Sequence, residues 1–210
     1  MGQGRNLQRR FDSLFQQQPD PWSYTTSWYE RRKREVTLAV LPKQRYAYGF
    51  EPGCAIGVLT LGLAGRCEHL LSGDVSAVAV SMARARTAHL SNVQVELLEV
   101  PQQWPDGTFD LIVLSEFLCF VCDDGIREIA SKAKAHLRRS GTVVACHWRY
   151  SMDPDEGERS GDHVHGVFDN ALQLPRTVRH EEADFLLEVW THDGRSVASL
   201  DNVCVLSSRT

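Results

Sequence analysis

Apolar positions in this chain follow two rhythms. Short runs that are apolar almost throughout alternate with longer stretches in which apolar residues recur every three or four positions. The first rhythm marks strands buried on both faces, and the second marks helices with one face inward. The clearest run is Phe109-Asp110-Leu111-Ile112-Val113-Leu114-Ser115-Glu116. On this reading strands lie at residues 46–51, 67–73, 93–98, 109–116 and 142–147, with helices at 56–64, 76–89 and 125–138. Such alternation builds an α/β fold on a mainly parallel, doubly wound sheet. Before it, an irregular start leads to a turn at Asp20-Pro21 and then an amphipathic helix from Ser27, carrying Trp28, Val36, Leu38, Ala39 and Leu41 and closed by Pro42. After it, residues 151–162 are polar and loop-like, a helix is expected within 164–176, and strands at 185–190 and 203–207 are joined through Asp193-Gly194 as a closing antiparallel pair. The expected sheet therefore has seven strands.

Composition narrows the class. At 210 residues, 42% hydrophobic and 24% charged, the chain fits one domain over 1–210: a helical cap (1–45), a core (46–150) and a C-terminal part (151–210). A net charge of -4 speaks against nucleic acid as partner. The basic run from Arg31 to Arg34 is flanked by Glu30 and Glu35 and reads as a solvated helix face. No run of 18 apolar residues appears, and the N-terminus lacks an apolar signal core, so no membrane partner and a cytoplasmic location are expected. The six cysteines are scattered, Cys119 and Cys122 sit in an apolar segment without clustered histidines, and no metal site is expected.

The chemistry concentrates where the first strand ends. Glu51-Pro52-Gly53-Cys54-Ala55-Ile56-Gly57 is a glycine-studded turn led by a carboxylate, and Asp74 closes the next strand 23 positions after Glu51. A turn of this type brings backbone close to a nucleotide, while the delayed acid accepts from two ribose hydroxyls. The spacing departs from the dinucleotide fingerprint, and a leading acid repels a pyrophosphate but suits a cationic ligand. Ala55 stands between the two glycines of the turn, on the expectation that its φ is negative.

The turn resembles motif I of class I S-adenosylmethionine-dependent methyltransferases. Together with Asp20-Pro21-Trp22, Gly73-Asp74-Val75-Ser76 and the run from Phe109 to Glu116, it resembles the nodulation protein S (NodS) family of small N-methyltransferases. The resemblance implies a Rossmann-like class I methyltransferase fold with an N-terminal helical cap. It implies S-adenosyl-L-methionine as cofactor, held by Glu51, Gly53, Cys54, Ala55, Gly57, Asp74, Val75, Glu99, Val100 and Ser115. Relatives of this kind act on the free amine of a deacetylated chitooligosaccharide, so the implied acceptor is the amine of an amino sugar, an aminocyclitol or a similar small molecule. Glu116 and His147, from their places at strand ends, and His163, in the segment Asp162-His163-Val164-His165, are the candidates to orient the amine and take its proton. Tyr24, Trp28, Arg149 and His165 are the candidate substrate contacts. Each has a plainer alternative: a core histidine, a solvent-facing loop residue, or a tryptophan that staples the cap to the sheet. O-methylation of a secondary metabolite and a non-catalytic binding module remain open, as do monomer and homodimer.

Overall fold

The computed structural model describes residues 3–151 and 159–201. Helix α1 spans Gln3–Gln17 and α2 spans Trp28–Ala39. They are followed by β1 (Tyr46–Pro52), α3 (Val58–Ala64), β2 (Cys67–Asp74), α4 (Ala77–Thr87), β3 (Val93–Leu97) and β4 (Phe109–Ser115). A 3-10 turn at Leu118–Phe120 leads into α5 (Asp123–His136), β5 (Leu137–Trp148), α6 (Gly161–Leu172), β6 (Arg176–Glu181), β7 (Phe185–Thr191) and α7 (Val197–Leu200). The sheet has seven strands in the order β3-β2-β1-β4-β5-β7-β6. The first five in sequence pair in parallel, while β7 runs antiparallel to both β5 and β6. This is the expected α/β architecture. The strand order reverses between β1 and β4, and a crevice opens there beyond the carboxyl ends of the strands.

Alternation along β4 shows why this run folds as a central strand. Ile112 and Leu114 enter one core with Phe50, Ile126, Ile129 and Phe168, beneath α5 and α6. Leu111 and Val113 enter the other with Leu63, Val144 and Leu187. All four are essentially inaccessible, so each contributes about 1.5–3 kcal/mol by leaving water. The α4 helix begins at Ser76, whose hydroxyl accepts from the Ala79 amide at 3.2 Å and donates to Asp12 of α1 at 2.6 Å.

Several expectations need correction. The start of the chain is helical: Phe11 and Phe15 are one turn apart and pack with Ile56 and Ala79. Trp28 begins α2 but is 66% exposed, and the inner face of that helix carries Glu30, Lys33 and Thr37. The basic run is therefore partly buried, because Lys33 finds two carboxylates under the cap. The partner of β7 is β6, joined to it through residues 182–184, rather than a strand across Asp193-Gly194. As an edge strand, β6 carries Arg176, Arg179, His180 and Glu181 and has no apolar run to betray it. Residues 203–207 lie outside the described part. The helix expected within 164–176 begins earlier, at Gly161, and so takes in His163 as well as His165, since Ser160 caps it by accepting from the His163 amide. Among the described residues no helix is long and apolar enough to cross a membrane.

Candidate functional site

Parallel pairing aligns the ends of β1, β2 and β4. Glu51 lies opposite Ser72, and Ser115 opposite Cys146. Glu51 is buried and accepts from the hydroxyls of Thr60 (2.7 Å) and Ser72 (2.8 Å). Burial pushes its carboxyl up to about 7, against those two hydrogen bonds. The turn after it uses left-handed backbone at Gly53 (φ 75), Ala55 (φ 47) and Gly57 (φ 78). Ala55 thus departs from the expected negative φ. Its methyl fits the small left-handed region at some cost in strain, and its amide donates to Asp74 Oδ2 at 2.9 Å. Gly53 is needed for a second reason: a Cβ there would meet the Phe117 side chain at 2.8 Å. Gly57 caps α3 and lies against Ala83.

Asp74 accepts from Ala55 through one oxygen and from the Ser76 amide (2.9 Å) through the other. Burial raises its carboxyl to about 6, although the backbone amides oppose the shift. It stands at the wall of a cavity shared with Gly53, Ala55, Val75, Leu98, Glu99, Val100, Ser115 and Phe117, and closed by Leu7, Phe11 and Phe15 of α1. A second cavity lies behind the turn, between Glu51, Cys54, Val58 and the inner face of α2. Arg34 lines it, and its Nη1 is buried without a hydrogen-bond partner. A third cavity, of about 200 Å³, is walled by Trp22, Tyr24, Tyr29, Phe120, Trp148 and Tyr150 and floored by Glu30, Lys33 and Glu116.

The floor of the third cavity is an ionic network. Lys33 Nζ is 2.8 Å from Glu30 and 2.6 Å from Glu116, and lies 4.9 Å from the centre of the Tyr29 ring. The other oxygen of Glu116 accepts from the Trp148 amide at 3.0 Å. Burial works against the Lys33 charge, but Glu116 and Glu30 outweigh it and raise its pKa. Glu116 itself holds a left-handed backbone (φ 58), which turns the chain away from β4 into the 3-10 turn. The Tyr29 hydroxyl is buried and unpartnered. Tyr24 and Glu116 line all three cavities, so they mark the place where the cavities meet.

The structure thus gathers most of the predicted cofactor residues. Gly53, Ala55, Asp74, Val75, Glu99, Val100 and Ser115 share one cavity, Glu51 and Cys54 face the next, and Gly57 supports the turn from behind. Of the other predicted residues, Tyr24 and Glu116 are at the junction. Trp28, His147, Arg149, His163 and His165 line none of the three cavities. Trp28 points to solvent because the polar residues of α2 take the inner face. Arg149 is held at 3.0 Å by both Asp162 and Glu181. His163 pairs with Asp123 at 3.0 Å on the surface, and that contact, with Arg159, holds the Asp123 carboxyl below its usual range. His147 and His165 are buried against each other at 3.1 Å. Sequence reasoning missed Glu30, Lys33 and Arg34, whose only signal was three charges at i, i+3 and i+4 on a helix beside Tyr29. It also missed Trp148 and Tyr150, two aromatics just after a strand end.

Comparison with known proteins agrees with the fold. The family profile of Nodulation protein S (NodS) matches residues 7–147. A Nodulation protein S from Bradyrhizobium diazoefficiens is 32% identical over 105 residues, covering 50% of this chain and 50% of that protein. The chain therefore spans about half the length of the curated relatives it matches. A crystal structure of a candidate methyltransferase from Pseudomonas syringae is 42% identical, with a TM-score of 0.68 over 79% of this chain and 99% of that one. The N-methyltransferase NodS from Bradyrhizobium japonicum WM9, crystallised with S-adenosyl-L-homocysteine, has a TM-score of 0.76 at 24% identity, over 90% of this chain and 98% of that one. At that identity the likeness is one of fold.

Proposed function

Because the chain belongs to the nodulation protein S family, we propose that it is an S-adenosylmethionine-dependent methyltransferase acting on the amine of an amino sugar, aminocyclitol or similar small molecule. One observation carries this reading: Tyr24 and Glu116 stand where a nucleotide-type cavity, a cavity with a free guanidinium nitrogen and an aromatic, net-acidic cavity converge. A donor with a nucleoside end and an amino-acid end fits the first two, and a cationic acceptor fits the third. Asp74 is suited to the ribose hydroxyls, and Val75, Glu99 and Val100 to the edge of the adenine. The orphaned Arg34 Nη1 is suited to a carboxylate, which would satisfy it with a charge-assisted hydrogen bond.

The cofactor, when bound, supplies an activated methyl on a sulfonium. The chain's own task is to place the nucleophile in line and keep water out. Glu30 and Glu116 outnumber Lys33 by one charge beneath the aromatic walls, so an ammonium is drawn in by charge and by the ring faces. Only a neutral amine attacks. The net negative charge favours the bound ammonium, so a proton has to leave before attack, and Glu116 has lone pairs left to accept an N–H and orient the amine. Calorimetry with S-adenosylhomocysteine tests the donor half: wild type should bind saturably, and Asp74→Ala should bind at least about tenfold more weakly. Incubation with S-adenosylmethionine and a panel of amino sugars and aminocyclitols tests the acceptor half, with NMR locating the new methyl. A methyl on oxygen, or no turnover on the panel despite cofactor binding, would refute it.

A further inference from the structure

The histidines that missed the cavities form a chain of their own. The Leu118 amide donates to His147 Nε2 at 3.3 Å, His147 Nδ1 lies 3.1 Å from His165 Nε2, and His165 Nδ1 lies 2.8 Å from Glu188. The other Glu188 oxygen accepts from Arg176 at 2.7 Å and Arg179 at 2.9 Å. His147, His165 and Glu188 are all at least 98% buried. An amide can only donate, so His147 Nε2 carries no proton, its proton sits on Nδ1, and it donates to His165. The same logic places the His165 proton on Nδ1, pointing at Glu188. Every donor in the series then meets an acceptor with both rings neutral. Gly161 makes room for it: a Cβ there would strike the Trp148 carbonyl, and its absence lets α6 lie close enough to β5 for the two rings to meet.

We propose that His147, His165 and Glu188 are positioning residues that hold the Leu118–Phe120 turn in place as a wall of the cofactor cavity. Leu118 opens a 3-10 turn whose first amides have no partner within the turn, and His147 satisfies one of them. Phe117, Phe120 and Val121 line the cofactor cavity around that amide, while Cys119 and Phe120 face the aromatic one. The Phe117 ring also fills the space that Gly53 leaves open. A shift of the turn would therefore reach both the glycine turn and the junction at Glu116.

The inference rests on the cofactor reading above, and its test separates the two. His147→Leu should weaken S-adenosylhomocysteine binding about tenfold and speed deuterium exchange at the Leu118 amide by a similar factor. His147→Gln should restore both to within about threefold, since its amide oxygen can accept from Leu118 while its nitrogen donates to His165. Unchanged affinity and exchange in folded His147→Leu, or equal losses in the two variants, overturns the proposal. If the wild-type chain binds no S-adenosylhomocysteine, the cofactor reading fails, and the Leu118 exchange rate still decides the role of His147. Should His147→Leu not fold, ¹⁵N NMR of wild-type histidines decides: Nδ1–H on both rings supports the chain, and Nε2–H on His147 sinks it.

Discussion

Glu51 and Asp74 are carboxyls drawn out of water with no cation among their hydrogen-bond partners. Both hold a proton more tightly folded than unfolded, toward about 7 and about 6 respectively. Folding therefore takes up protons between about pH 4 and 7, and these two groups make the ligand-free fold less stable as pH rises through that window, by up to about 3 kcal/mol each. Glu51→Gln keeps an acceptor for Thr60 and Ser72 but cannot ionise. Urea unfolding should show it more stable than wild type by about 1–3 kcal/mol at pH 8, with the difference vanishing near pH 4.5; an equal loss at both pH values would refute this. Tyr29 poses the opposite test. Its hydroxyl is buried without a partner, so Tyr29→Phe should leave stability unchanged or raised by about 1 kcal/mol. If the hydroxyl serves the acceptor, the same variant should raise the acceptor KM severalfold with S-adenosylhomocysteine affinity unaltered.

At the scale of elements, α2 is the unusual piece. Its inner face sets Lys33 between Glu30 of the same helix and Glu116 after β4, and these three form the floor of the third cavity. Removing Lys33 would leave Glu30 and Glu116 facing one another in a site shielded from water. Lys33→Met is expected to cost about 3–5 kcal/mol in denaturant unfolding, and adding Glu30→Gln should return a good part of it. A loss under about 1 kcal/mol would mean that the pair is solvated in solution. The β strands behave more simply. Apolar runs located β4 to within a residue of its observed end, because a strand covered on both sides has to be apolar along its length. β6 escaped because an edge strand needs pairing but little burial. The start of β5 escaped too: Leu137 already pairs with Phe109 where helical spacing in the sequence still runs on.

Across the whole molecule, the cofactor half was legible and the acceptor half was not. The turn after β1 and Asp74 after β2 are local in sequence, and their spacing states their geometry. The aromatic cavity proposed for the acceptor joins Lys33 to Glu116, 83 positions apart, with aromatics from the cap and from beyond β5. Pattern reading treats charges on a helix as solvated, so it could not place Lys33 inside. It also took His147, at a strand end, for chemistry, whereas its side chain is buried against His165 in the core. The family profile ends at residue 147, immediately before Trp148 and Tyr150. Trp148→Ala should accordingly raise the acceptor KM about tenfold or more while S-adenosylhomocysteine binding changes less than about threefold. Equal losses in both would show that this wall is shared with the donor.

The cap leaves one more mark on the molecule. Leu7, Phe11 and Phe15 close the cofactor cavity from α1, and Asp12 of the same helix holds Ser76 at 2.6 Å beside Asp74. On the proposed reading, a donor seated deep in that cavity lies behind a single helix, so its exchange with solvent is coupled to how firmly α1 is pinned to the sheet.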